Sequence, residues 1–202
     1  MNTLMATEIS LETLLAGDRA EFARMVDTYS HPIYRLGLRM LGNSQDAEDV
    51  LQNTFLSALT HLRTFEGRSS LSTWLYRIAA NEALMLLRRK KPEVNLEDAE
   101  ATGDGADDLK PKQFLDWSAL PEEELLSGEG KRVLDQAIQR LPESLRIVFL
   151  LRDIEGLSIK ETAKALNLSE TNVKTRLLRA RMFLREQLSS YYREHFIREE
   201  PK

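Results

Sequence analysis

The stretch from Gly156 to Arg185, GLSIKETAKALNLSETNVKTRLLRARMFLR, constrains this chain more than any other, because it reads as two short helices meeting at a sharp turn. Ser158 is placed to cap the first helix, and Glu161 three residues on completes a capping box. Asn167 tolerates a left-handed backbone and so suits the corner between the helices. Ser169 then caps a second helix, with Glu170 set favourably against its N-terminal dipole. On that helix Val173, Leu177, Ala180 and Leu184 recur at helical spacing and draw one apolar stripe towards the protein. Thr175, Leu178 and Arg179 point away from the stripe, flanked by Lys174, Arg176 and Arg181. A helix-turn-helix lays such a basic, hydrogen-bonding face in the major groove of DNA; the plainer reading is a helical hairpin whose basic face is merely solvated.

A formal net charge of −4 over 202 residues looks wrong for a nucleic-acid binder until it is divided along the chain. Residues 1–92 carry 11 Lys/Arg against 10 Asp/Glu, residues 93–129 carry 2 against 12, and residues 130–202 carry 15 against 10. The acidity is concentrated in the middle, which leaves both ends able to meet phosphates. Cysteine is absent, which excludes disulfides and thiolate metal sites. No apolar run approaches a membrane span and the N-terminus does not read as a signal peptide, so a cytoplasmic location is expected. His31, His61 and His195 lack metal-ligand spacing, and there is neither a Gly-rich phosphate loop nor a nucleophile–base arrangement. No metal, cofactor or enzymatic activity is therefore expected.

The N-terminal segment reads as helix throughout. Asp18 and Glu21 form a capping box ahead of a helix running to Pro32, a second helix runs from Pro32 to Gly42, and a third opens near Ser44 with Asp46, Glu48 and Asp49 in its first turn. The third helix takes its apolar face from Ala47, Val50, Leu51, Thr54, Phe55, Ala58, Leu59 and Leu62. RTFEGRSS, residues 63–70, reads as a loop, and Ser72 is placed to cap a fourth helix that closes on Arg88, Arg89, Lys90 and Lys91. Residues 93–129 are charged and poor in apolar residues except for an island at Phe114, Leu115, Trp117 and Leu120, the composition of a flexible linker. Helix returns from Lys131. The expected fold is all-α: two small helical domains, 1–92 and 130–202, joined by the acidic flexible linker 93–129, with the helix-turn-helix at the C-terminal end.

Three segments carry a resemblance: DAEDVLQNTF (Asp46 to Phe55), FEGRSSLSTWLYRIAANEA (Phe65 to Ala83), and LPESLRIVFLLRDIEGLSIKETAKALNLSETNVKTRLLRAR (Leu141 to Arg181). In this order and spacing they resemble the bacterial sigma factors of the extracytoplasmic-function group, in the sigma-70 family. The resemblance implies an alternative sigma factor that binds core RNA polymerase and directs promoter recognition, DNA melting and initiation at a stress-response regulon. Asp46, Glu48, Asp49 and Gln52 would then dock on the polymerase clamp, with Asn53 standing where the family often has an acid. Phe65, Arg68, Ser69 and Ser70 would trap a base flipped from the melted, single-stranded minus-ten element, and Arg77, Asn81, Arg88 and Arg89 would line that DNA. Trp74 reads more readily as core than as a stacking platform. Lys174, Thr175, Leu178, Arg179 and Arg181 would read and clamp the double-stranded minus-thirty-five element. The 37 linker residues can stretch to about 120 Å at ~3.3 Å each, enough to span elements roughly 70 Å apart, two DNA turns. The resemblance also implies an anti-sigma partner, which could hold the chain at the membrane. Two other readings stay open: a sigma-like decoy that binds an anti-sigma factor, and a simple helix-turn-helix regulator.

Overall fold

The computed structural model describes residues 9–90 and 128–196. Among them there is no strand, and eight α-helices carry the fold: α1 Leu11–Leu15, α2 Arg19–Leu41, α3 Ser44–His61, α4 Leu71–Lys90, α5 Gly128–Arg140, α6 Glu143–Phe149, α7 Ile159–Leu166 and α8 Glu170–Phe196. Residues 91–127, and with them Lys91, the aromatic island and all of the expected linker but Gly128 and Glu129, lie outside the described residues. Gly128 and Glu129 belong to the first turn of α5, so helix begins slightly earlier than expected.

The N-terminal half departs from expectation at Pro32. A proline lacks the N–H of an i→i−4 bond and commonly ends a helix, yet α2 runs through Pro32 without a break. Met25, Ile33, Leu36 and Met40 are all fully buried along one stripe that keeps the helical period across the proline. At roughly 2 kcal/mol for each fully buried large aliphatic side chain, that stripe outweighs the proline penalty of about 3 kcal/mol. Asp18 does accept from the backbone N–H of Glu21 (2.8 Å), but the capping box is not closed. The Glu21 carboxylate turns instead to the backbone N–H of Ser10 (2.6 Å) and to Arg24 (2.8 Å). This ties down α1, a short helix whose bounds the sequence reading did not mark out. At the other end of α2, Gly42 takes a left-handed φ of 71° and donates its N–H to Leu38.

The two halves are in direct contact. The last carbonyls of α2 have no partner within the helix; Gly42 serves that of Leu38, and side chains from the C-terminal half reach it and the next two. Gln139 Nε2 donates to the carbonyls of Leu38 (3.2 Å) and Arg39 (2.6 Å), and Arg146 Nη1 donates to that of Met40 (2.6 Å). Arg39 also pairs with Asp135 at 3.2 Å. The Arg146 guanidinium is buried, which favours its neutral form, and donates further to the carbonyls of Gln139 and Leu141.

Beyond α6 the helix widens into a π turn, Leu150–Ile154. Asp153 and Glu155 then point to different partners: Asp153 to Arg181 on α8, and Glu155 to Tyr76 on α4. α8 packs across α5, α6 and α7, with Val173, Leu177, Ala180, Leu184 and Leu188 buried.

Candidate nucleic-acid interface

Three surfaces gather the candidate residues. α3 opens at Ser44, as expected, and Asn43 caps it by accepting the Asp46 N–H (3.1 Å). Asp46 is buried, and its two carboxylate oxygens hold Lys90 Nζ at 2.6 and 2.5 Å. This side chain ties α3 to the end of α4, while Glu48 and Gln52 are exposed and Asp49 is half-buried. The exposed face continues into residues that sequence reasoning missed: Leu56 is 62% and Leu59 57% exposed, with Met85 of α4 at 42% beside them. The expectation that Leu59 belongs to the apolar core of α3 is therefore corrected. Its spacing fits the stripe, but none of the described residues covers it. Asn53, Leu56, Ser57, Glu82, Met85, Leu86 and Arg89 line an open cavity of about 330 Å³ between the two helices. Asn53 and Leu56 lie next to the docking candidates on α3, and exposed apolar side chains on a polar helix were the available signal.

On the second surface, Phe65 is almost fully buried and packs on Trp74 with ring centroids 5.0 Å apart at 42°. Trp74 is half-buried, as a core-side residue is. Gly67 turns the loop at φ 68°, and Arg68 is exposed and paired with Glu66. Ser70, not Ser72, caps α4: its Oγ accepts the Thr73 N–H at 3.1 Å, and the Ser70 carbonyl accepts the Trp74 N–H. Ser69 is half-buried. Arg77, Asn81 and Arg88 are exposed and, at 100° per residue, share a stripe about 40° wide. Arg89 lies about 120° round from Arg77, on the side of the cavity.

The third surface is the helix-turn-helix. Both arms of the capping box form, with Glu161 N–H donating to Ser158 Oγ (3.1 Å) and Ser158 N–H to Glu161 Oε2 (2.9 Å). These Ser158 bonds, to backbone and then side chain, hold the Glu161 carboxyl below the usual carboxylate range. Asn167 adopts the left-handed corner (φ 54°, ψ 45°), and Ser169 caps α8 through Asn172 N–H (3.1 Å). Lys174 is exposed, while Thr175, Leu178 and Arg179 are half-buried on the side away from the stripe. Arg181 is held by Asp153 in two parallel bonds, 2.8 and 2.7 Å, and these raise the pKa of its guanidinium. The arrangement offers a basic helix face, a loop of small hydroxyl residues and an acidic-to-apolar patch. Among the described residues there is no group of His, Cys, Asp or Glu that could hold a metal ion, and no helix long and apolar enough to cross a membrane.

The family description of sigma-70 region 2 matches residues 25–93, and that of sigma-70 region 4 matches residues 131–184. The chain is 40% identical over 172 residues to the ECF RNA polymerase sigma factor SigW of Bacillus subtilis, spanning 85% of this chain and 91% of that one. It is 34% identical over 186 residues to the RNA polymerase sigma-H factor of Pseudomonas aeruginosa, spanning 91% and 94%. In fold it is similar to CnrH in its complex with the cytosolic domain of CnrY, with a TM-score of 0.62 at 23% identity over 89% of this chain and 95% of that one. It is similar in the same way to RpoE bound to the anti-sigma factor NepR from Bartonella quintana, with a TM-score of 0.60 at 21% identity over 84% and 97%.

Proposed function

Since this chain belongs to the extracytoplasmic-function group of the sigma-70 family, it is an alternative sigma factor that directs RNA polymerase to specific promoters, and we propose how its surfaces divide that work. Residues 1–92 act as the domain that docks on core polymerase and handles the minus-ten element, residues 93–129 as the linker, and residues 130–202 as the domain that reads the minus-thirty-five element. Docking runs along α3 from Glu48, Asp49 and Gln52 to Leu56 and Leu59, with Asp46 positioning the helix through Lys90. Burying Leu56 and Leu59 on the polymerase gives this face a driving force that its acids alone lack.

On the minus-ten side, Arg68, Ser69 and the edge of the Phe65–Trp74 pair receive an extruded base, and Arg77, Asn81 and Arg88 follow the strand. On the minus-thirty-five side, Lys174, Thr175, Leu178 and Arg179 enter the major groove, where Arg179 can grip a guanine bidentately. Arg181 sets the tilt of the helix through Asp153. The polymerase makes the bonds, so this chain is not itself an enzyme. It works in the cytoplasm, and an anti-sigma factor restrains it, a partner of the kind that NepR is to the similarly folded RpoE.

The observation that carries this reading is the presence in one chain of an acidic-to-apolar helix and a hydroxyl-rich loop, both within the stretch 25–93 that matches region 2, and of a helix-turn-helix that begins within the stretch 131–184 that matches region 4. The test is transcription by purified core RNA polymerase on a fragmented genomic library, with and without the protein. RNA starts that depend on the protein and share two spaced elements support the reading. Leu56→Asp with Leu59→Asp is expected to weaken core binding at least tenfold without unfolding an already exposed face, and Arg179→Ala to weaken the upstream element more than the downstream one. A folded protein that does not bind core polymerase would overturn the reading.

A further inference from the structure

Two hydroxyl groups on one face of α4 donate to carboxylates of the opposite half. Thr73 Oγ1 donates to Glu161 Oε1 at 3.1 Å, and Tyr76 OH donates to Glu155 Oε2 at 2.5 Å. Thr73 and Tyr76 are both buried. Burial first, and then the Glu155 carboxylate, push the Tyr76 phenol pKa up, so the hydroxyl keeps its proton and remains a donor. Thr73 borders the candidate strand-binding stripe, with Arg77 about 40° and Asn81 about 80° round the helix from it at 100° per residue, while Tyr76 stands about 60° from Thr73 on its other side. The contact is also incompletely satisfied on the acidic side, since among the described residues none gives the buried Glu155 Oε1 a hydrogen bond. An unpaired buried acceptor is costly, which marks a contact that can be given up.

Size points the same way. Packed as found, the described residues make a body roughly 40 Å across, whereas two promoter elements two DNA turns apart are roughly 70 Å apart. The halves have to separate before both elements can be held, and separation uncovers Thr73 and Tyr76. Threonine and tyrosine hydroxyls that serve carboxylate oxygens serve phosphate oxygens equally well.

We propose that Glu155 and Glu161 occupy, in the closed chain, the places on α4 that DNA backbone phosphates take in the open one, so that Thr73 and Tyr76 are phosphate-binding residues of the strand-binding surface and the chain shields them from DNA by itself. The promoter side of this inference rests on the proposed function; the closure and the competition for the two hydroxyls do not.

The absence of cysteine allows a clean test on the full chain. Ala20→Cys and Arg185→Cys, both at exposed positions, take a donor and an acceptor dye. Single-molecule energy transfer then reports closure, and a mixed-sequence single-stranded oligonucleotide at low salt reports DNA binding without polymerase. Glu155→Gln with Glu161→Gln, the latter keeping a residue that suits a capping box, is expected to shift the population to low transfer and to tighten DNA binding about tenfold. Glu12→Gln with Glu186→Gln, the same charge change at exposed positions, is expected to leave transfer unchanged and to tighten binding far less. Adding Tyr76→Phe and Thr73→Ala to the opened chain is expected to reverse the gain by about tenfold, the usual cost of losing a bond to an ion. Equal tightening by the control pair, unchanged transfer in the clasp pair, or full DNA affinity without the two hydroxyls would each overturn the proposal. Because none of these readouts involves polymerase, failure here is distinct from failure of the sigma-factor reading.

Discussion

Glu161 serves two structures at once. One oxygen closes the capping box of α7 and the other accepts Thr73 from the opposite half. Its carboxyl is held below the usual carboxylate range chiefly by the Ser158 backbone and side-chain bonds. A folded pKa below the unfolded one means stability that is present above the unfolded pKa and is lost as pH falls through the folded one. Thermal melts of the wild type and Glu161→Gln are therefore expected to differ most near pH 7 and to converge as pH falls below the ordinary carboxylate range; a constant gap would show that the charged form contributes nothing. The same residue illustrates how far sequence reading extends. The caps at Ser158, Ser169 and Asn167 were legible because each acts on a neighbour within a few positions. The partners of Asp46, Arg181 and Glu161 were not, because Lys90, Asp153 and Thr73 stand 44, 28 and 88 positions away. Arg181 and Asp46 read from the sequence as candidate binding residues, and the fold adds an ion-pair partner to each.

At the scale of elements, helix–helix distance matters more than propensity. Gly37 lies inside α2 and is buried. A Cβ there would come within 3.2 Å of the Ala47 Cα of α3, so the two helices touch backbone to side chain. Replacing a helix-interior glycine ordinarily gains up to about 1 kcal/mol, but here the obstacle is backbone and cannot rotate away. Gly37→Val is expected to cost about 2 kcal/mol or more, seen as a lower midpoint in urea at unchanged m-value, and to displace the face that carries Glu48 and Gln52. Pro32 teaches the complementary lesson. A local rule ended the helix there, whereas the stripe Met25, Ile33, Leu36 and Met40 carried it on. The N-terminal half was legible as a set of helices, but the junction between the first two was not, since tertiary burial decided it.

For the molecule as a whole, the question is whether it melts as one body or two. Arg146 and Gln139 reach from the C-terminal half to the last carbonyls of α2, and Arg39 meets Asp135 beside them. Arg146→Met combined with Gln139→Ala keeps much of the bulk and removes the donors. It is expected to destabilise the chain by about 2–4 kcal/mol and to split a single calorimetric transition into two, one for each half. A single transition in the variant would mean that the apolar contacts between the halves suffice to couple them. This bridge had no visible sign in the sequence, where Arg146 stood as one more basic residue beside an apolar run.

The trans-capping of α2 also imposes an order in time. Gln139 and Arg146 lie 100 and 106 positions after the carbonyls of Arg39 and Met40 that they cover. At roughly 5–20 residues per second, the ribosome finishes α2 many seconds before it has made the residues that close its end. Through that interval the newly made N-terminal half carries its unfinished helix end open to water and to any chaperone at the tunnel exit.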